Sequence, residues 1–234
     1  MTEDIFISPH PDDIVYSCFG AFHESEKPYL LTVFSRSKYM SDNNLFWDEE
    51  KVTKIRVKED RLFANMYKAG YSCLDFPDSS LTLNNIKEVT LYRNPNLLLI
   101  KKRLIDFLSR RNDYNLFIPI GNGWHNDHRD IHKIMMAMHK ENNIHCNRLY
   151  LYEDMPYYSE TSPSFSLTDY LKSEGLQNAT LIRHEIDFTE LKNIWMERYN
   201  IYKSQYDRNE FCKIMQYKYS HKVNRLQEII WEIC

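Results

Sequence analysis

Glycine is scarce in this chain, at five residues in 234 (Gly20, Gly70, Gly121, Gly123 and Gly175), and neither GxGxxG nor the GxxxxGK loop occurs. Backbone cradles for phosphate need such glycines, so dinucleotide-binding and P-loop readings lose their main support. The five cysteines (Cys18, Cys73, Cys146, Cys212 and Cys234) are odd in number, scattered, and form no CxxC pair. That pattern argues against a disulfide framework and a thiolate zinc site, and leaves reduced thiols that mostly fill the core. No apolar run approaches the roughly 20 residues needed to span a bilayer. Met1-Thr2-Glu3-Asp4 is acidic where a signal peptide is basic, so no membrane span and a cytoplasmic location are expected. With 30 Lys and Arg against 33 Asp and Glu, the net charge of -3 supplies no chain-wide field for nucleic acid or an anionic membrane. The oligomeric state stays open.

What is present is an ordinary globular balance, 43% hydrophobic and 27% charged, with no linker or repeat, so residues 1–234 read as a single domain. Buried strands are expected at Asp4–Ser8, Pro28–Phe34 and Leu116–Ile120, another strand at Arg148–Tyr152, and a weak one at Cys73–Phe76. Between them lie helical spacings: Val15, Cys18, Phe19 and Phe22; Val52 to Ala69, with Gly70 as its C-cap; Asn96 to Arg110; and a helix through Ile131, Met135 and Met138. Strands alternating with helices predict an α/β, Rossmann-like, mostly parallel sheet with helices on both faces. Ligands of such sheets sit at the C-terminal strand ends. Phe188 to Tyr206 and Phe211 to Cys234 read as long amphipathic helices, a helical C-terminal part over about residues 185–234.

Two polar stretches stand at expected strand ends: Ser8-Pro9-His10-Pro11-Asp12-Asp13, and Gly121-Asn122-Gly123-Trp124-His125-Asn126-Asp127-His128. His10, Asp13 and one histidine of the second stretch would make a facial set of two imidazoles and a carboxylate. Three such ligands with an open position suit a catalytic zinc, whose free site holds a water of pKa about 7. Asp12 would then be free to act as general base. The bland alternative is a polar turn in which Asp12 or Asp13 merely caps a helix, beside a solvated histidine loop. Joint occurrence after two buried strands favours the site.

These residues resemble the signatures of the PIG-L/LmbE-like zinc-dependent N-deacetylases, HPDD and HxDH. Arg56-Val57-Lys58-Glu59 leading to Gly70 looks like the family's RxxE helix, and Phe76-Pro77-Asp78-Ser79-Ser80-Leu81 like its LPDGxL turn. Leu151-Tyr152-Glu153-Asp154-Met155-Pro156-Tyr157 and Tyr202-Lys203-Ser204-Gln205 resemble the YEDLPY and YxSQ segments of a bacterial subgroup. The resemblance implies zinc on His10, Asp13 and His128, with Asp12 as general base. It makes His125 a second catalytic histidine, stabilising the oxyanion or protonating the leaving amine, and Asp127 the residue that orients one of the histidines. Arg56 and Asp78 would contact sugar hydroxyls. The implied substrate is a small, sugar-containing N-acetylated molecule. Fe(II), Co(II) or Ni(II) could replace zinc on such ligands.

Phe19 and Ser79-Ser80 replace family glycines, which suggests a differently shaped pocket, whereas Ile14 departs at a position that is not a ligand. Two rivals remain: an amide or ester hydrolase acting on a non-sugar natural product, and a non-catalytic sugar- or nucleotide-binding module. His132 reads as a supporting or surface residue, Met135, Met136 and Met138 as helix core, and His23, His139, His145, His184 and His221 as isolated residues.

Overall fold

The computed structural model describes all residues except 42–47, 82–93, 122, 158–168, 170–171, 173–178, 206 and 221–222. His221, read as isolated, therefore lies outside the described residues. Strand β1 (Glu3–Ser8) pairs in parallel with β2 (Pro28–Thr32) on one side and β4 (Tyr114–Pro119) on the other; β2 pairs with β3 (Gly70–Cys73), and β4 with β5 (Leu149–Tyr152), also in parallel. The register sets Ile5 beside Tyr29 and Leu116, and Phe6 beside Leu30 and Phe117.

Period-two alternation sends successive β1 side chains to opposite faces. Ile5 and Ile7 join a core with Ile100, Leu104, Ile131 and Met135, carried by α4 (Leu97–Leu108) and α5 (Asn126–Lys140). Phe6 joins a second core with Val15, Phe22, Phe63 and Trp195. That face is covered by α1 (Asp13–Ser17), α2 (Phe19–Glu24), α3 (Glu49–Met66) and α6 (Lys192–Tyr199). Apolar residues on both faces are what a doubly covered parallel sheet requires. Among the described residues no helix is long and apolar enough to cross a membrane.

The C-terminal part is not uniformly helical. Alongside α6 and α7 (Arg208–Lys218) it contributes β6 (Leu181–Asp187), a short β7 (Tyr219–Ser220) and β8 (Arg225–Ile233). The sheet order is β3-β2-β1-β4-β5-β8-β6, with β8 antiparallel to both β5 and β6. Leu226, Ile229, Ile230 and Ile233 satisfy a helical spacing, yet burial over Leu226, Glu228 and Ile230 falls at every second residue, with Ile233 buried at the strand's end and Ile229 only half-buried. Two flanking strands supply β8 with hydrogen bonds on both edges, and that tertiary pairing overrides local propensity.

The expected glycine C-cap also moves. Helix α3 ends at Met66, the left-handed residue is Lys68 (φ 52), and Gly70 opens β3. A side chain at Gly70 would meet Tyr29 Cδ2 at 2.2 Å, so close approach between strands, not helix termination, demands glycine there.

Helix α3 also carries a buried acid. Asp60 accepts hydrogen bonds from Thr32 Oγ1 and, at 2.9 Å, from the Tyr202 hydroxyl. Burial raises its pKa to about 6 against those hydrogen bonds. A carboxyl raised on folding adds stability below its unfolded pKa and loses it as pH rises through the folded one. Asp60→Asn, which both hydroxyls can still satisfy, should therefore stabilise the chain at pH 7.5 by about 3 kcal/mol, with the gain vanishing near pH 4. Thermal unfolding across that range reads the difference, and a pH-independent effect would contradict it.

Candidate active site

Just after β1 the two prolines forbid further strand pairing, and the chain turns on itself. Ser8 Oγ donates to the His10 carbonyl (2.6 Å), Phe34 N–H to the Pro9 carbonyl (2.8 Å), and His10 N–H to Asp13 Oδ2 (2.6 Å). Asp12 occupies the N-cap position of α1 at φ 96, a left-handed conformation, and its side chain makes no capping hydrogen bond. Its carboxylate instead faces Arg56, Nη2 to Oδ1 3.9 Å. A non-glycine residue held there carries strain of order 1–3 kcal/mol, the kind that accumulates at functional sites.

The second stretch follows β4. His125 is the N-cap of α5, and Asp127 and His128 lie in its first turn. The strand order runs outward from β1 and β4 in opposite directions, so both stretches meet at the switch point of the sheet, where α/β folds bind ligands.

There the side chains converge. His10 Nδ1 lies 3.2 Å from His128 Nε2; Asp13 Oδ1 lies 3.3 Å from His128 Nε2, and Asp13 Oδ2 lies 3.4 Å from His10 Nδ1. Tetrahedral zinc with bonds of about 2.0–2.1 Å spaces neighbouring donors about 3.3 Å apart, so this triangle has the size the cation requires. The remaining ring nitrogens are held by carboxylates, His10 Nε2 by Asp127 Oδ2 (2.9 Å) and His128 Nδ1 by Asp154 Oδ1 (3.0 Å). Ring hydrogens are therefore committed to those acceptors, and the two facing nitrogens present lone pairs.

Burial disfavours charge on both rings, but hydrogen bonds and charge from Asp127 and Asp13 raise His10 to about 9. Asp13 and Asp154 likewise raise His128 to about 10. Asp13 is itself buried, yet the two imidazoles hold it well below the usual carboxylate range. Nitrogens 3.2 Å apart have room for one proton between them, not two. The carboxylates that favour positive charge on these rings would equally favour a divalent cation held between them.

The imidazole nitrogens of His10, His125 and His128 also lie within 4.8 Å of one another, a looser grouping than the triangle with Asp13. His125 differs from the other two: burial and then the neighbouring His10 lower its pKa to about 3, so its ring is neutral, and its buried Nδ1 has no hydrogen-bond partner among the described residues. Burial and then the charge of Asp13 push Asp12 well above the ordinary carboxyl value, opposed by Arg56 and His10.

The family described as PIG-L, GlcNAc-PI de-N-acetylase, matches residues 5–139. The chain belongs to the PIG-L family. Over 82 residues it is 35% identical to 2'-N-acetylparomamine deacetylase of Streptomyces fradiae, a match that covers 33% of this chain and 29% of that protein. The zinc-inhibited form of teicoplanin deacetylase superposes with a TM-score of 0.72 at 16% identity, covering 100% of this chain and 98% of the other. The N,N'-diacetylchitobiose deacetylase of Pyrococcus horikoshii does so at 0.69 and 16%, covering 99% and 83%. At these identities the two structures establish a shared fold.

In this PIG-L member the residues expected to meet sugar hydroxyls form a buried knot. Arg56 Nη1 donates to Ser37 Oγ (2.7 Å) and pairs with Asp78 Oδ2 (3.4 Å), and Nη2 donates to the Pro11 carbonyl (3.4 Å). Both Arg56 and Asp78 are 3% exposed, so Arg56 ties α3 and the Asp78 turn to the His10–Asp13 loop. The same turn reaches the centre through Ser79 N–H, which donates to Asp127 Oδ2 (2.9 Å).

The sequence assigns no role to Asp154, Ser37 or the Ser79 amide, and leaves Tyr157 open between a structural turn and a pocket wall; its ring lies 4.9 Å from those of both His125 and His128. Glu153, next to Asp154 in the same segment, points elsewhere and accepts the Tyr217 hydroxyl (2.9 Å). His132 is not at the surface: it is fully buried, its Nδ1 donates to the Pro119 carbonyl (2.9 Å), and burial lowers its pKa to about 4.

Proposed function

We propose that this chain is a divalent-metal-dependent hydrolase, zinc being the leading metal, that removes the N-acetyl group from an amino-sugar-like substrate. The observation that carries the reading is the 3.2–3.4 Å triangle of His10 Nδ1, His128 Nε2 and the Asp13 carboxylate. Family membership supports the reaction type, and deacetylases acting on acetylated amino sugars among the similar proteins support the substrate class.

A cation on His10, Asp13 and His128 supplies Lewis acidity towards the acyl carbonyl and the attacking water. Asp12, adjacent to those ligands but held by none of the helix amides, accepts the proton that water loses as its oxygen bonds to the acyl carbon. Neutral His125 donates a hydrogen bond to the carbonyl oxygen as that atom becomes negative. When the C–N bond breaks, protonated Asp12 returns its proton to the departing amine, leaving acetate and a free amino group. Asp127 fixes His10 through Nε2, and Arg56 and Asp78 are assigned to the sugar hydroxyls.

Acetate release from a panel of N-acetyl sugars and nucleotide sugars, beside N-acyl non-sugar amides, tests this reading. Hydrolysis confined to the non-sugar amides would favour the alternative substrate class. Metal analysis of two variants separates ligand from proton-handling roles: Asp13→Ala should lose bound metal, whereas His125→Ala should keep it and lose turnover. The reverse pattern would make the three histidines the ligands.

A further inference from the structure

Asp154 follows β5 by two residues and is completely buried. Its two carboxylate oxygens take two different donors: Oδ1 accepts from His128 Nδ1 at 3.0 Å, and Oδ2 from the Gly121 amide at 2.6 Å. The first contact commits the hydrogen of His128 to Nδ1 and turns Nε2 towards His10 and Asp13. The second anchors the start of the loop that leads to His125. That loop has little slack, because Gly121 sits at φ +66 and a side chain there would lie 2.5 Å from His132 Cβ. Three residues beyond Asp154, Tyr157 packs against both histidine rings, and a side chain on Gly123 would come within 2.5 Å of its Cβ.

We infer that Asp154 is a positioning residue of the metal centre, setting the tautomer of His128 and, through Gly121, the approach of the His125 loop. This rests on the reading of His10, Asp13 and His128 as ligands. Asparagine cannot replace it, although it has the same shape. An amide offers one acceptor and one donor, so with two N–H groups facing it one contact becomes donor against donor. The Gly121 amide cannot give up its hydrogen whereas the imidazole can, so the asparagine oxygen keeps Gly121, the asparagine nitrogen faces His128, and His128 moves its hydrogen to Nε2 and ceases to be a ligand.

Zinc affinity of the full chain, measured by competition with a chromophoric chelator, tests the inference without reference to turnover. Asp154→Asn should bind zinc about 10–100-fold more weakly than wild type, while activity recovers in part at saturating zinc. In a His128→Asn background the same substitution should cost no further affinity, because its effect runs through His128. Asp154→Glu retains two acceptors and should recover part of the loss; it also serves if the asparagine variant does not fold. Unchanged zinc affinity in Asp154→Asn, or an equal loss with and without His128, would overturn the inference. A wild-type chain that binds no zinc, Fe(II), Co(II) or Ni(II) would instead overturn the metal centre itself, and with it this role for Asp154.

Discussion

Asp12→Asn should lower turnover by about 10²–10⁴-fold while leaving the bound metal in place. The carboxylate is in no position to be replaced by a neighbour. The residue is 8% exposed, its side chain caps no helix, and among the described residues its ion-pair partner is the Arg56 guanidinium at 3.9 Å. Burial beside Asp13 raises its proton affinity well above that of an ordinary carboxyl, which suits a group that must take a proton from water and hold it until the amine departs. Asparagine tolerates the φ of 96 that this position imposes and preserves the volume, so the lost activity reports the lost proton acceptor. Asp12→Gly makes the complementary point. It relieves backbone strain and removes a buried acid, so the chain should become more stable by about 1–3 kcal/mol while remaining inactive. Thermal unfolding, metal content and acetate release on the same preparations decide the matter. An active Asp12→Asn enzyme, or one that has lost its metal, would refute the division of labour between Asp12 and Asp13.

The residues that were legible in the sequence are those whose chemistry is encoded locally. Ile5-Phe6-Ile7 is apolar on both faces and lies in the middle of a parallel sheet. His10, Asp12 and Asp13 stand together because two prolines stop that strand, and His125, Asp127 and His128 because α5 begins there. What was not legible depends on partners distant in sequence. Asp154 acquires its role only from His128 and Gly121, contacts that the order of residues does not announce. The resemblance gave Arg56 a sugar-hydroxyl role, but nothing in the residue order shows that Ser37, Asp78 and the Pro11 carbonyl enclose it. Strand β8 satisfied two periodicities at once, and its buried Glu228 broke the apolar alternation that would have separated them.

That same Glu228 should make Lys218→Met among the most destabilising single changes in the molecule, costing about 3–5 kcal/mol. Lys218 Nζ lies 2.6 Å from Glu228 Oε1, and both side chains are almost fully buried. The carboxylate also accepts the amides of Phe19 (2.8 Å) and Gly20 (2.7 Å), the first residues of α2, while the ammonium lies over the Phe188 ring at 5.1 Å. Methionine keeps the aliphatic stem but strands a buried anion, and removing one partner of such a pair costs far more than an exposed pair contributes. Against a total stability of roughly 5–15 kcal/mol for a typical domain, the loss threatens folding itself. Burial already raises the Glu228 pKa, and loss of Lys218 removes the charge that opposes that rise. The carboxyl should then fold protonated, so the deficit shrinks as pH falls and widens as pH rises through its folded-state value. Adding Glu228→Gln to Lys218→Met should recover much of the deficit by removing the charge. The recovery stays incomplete, since an amide places a donor against one of the two α2 amides. Urea unfolding of wild type and both variants at pH 5 and 8 provides the test: a deficit below about 1 kcal/mol at both values would mean that solvent reaches the pair. Because α2 follows directly from the helix that carries Asp12 and Asp13 at its start, the pair also braces the chain immediately behind those two residues.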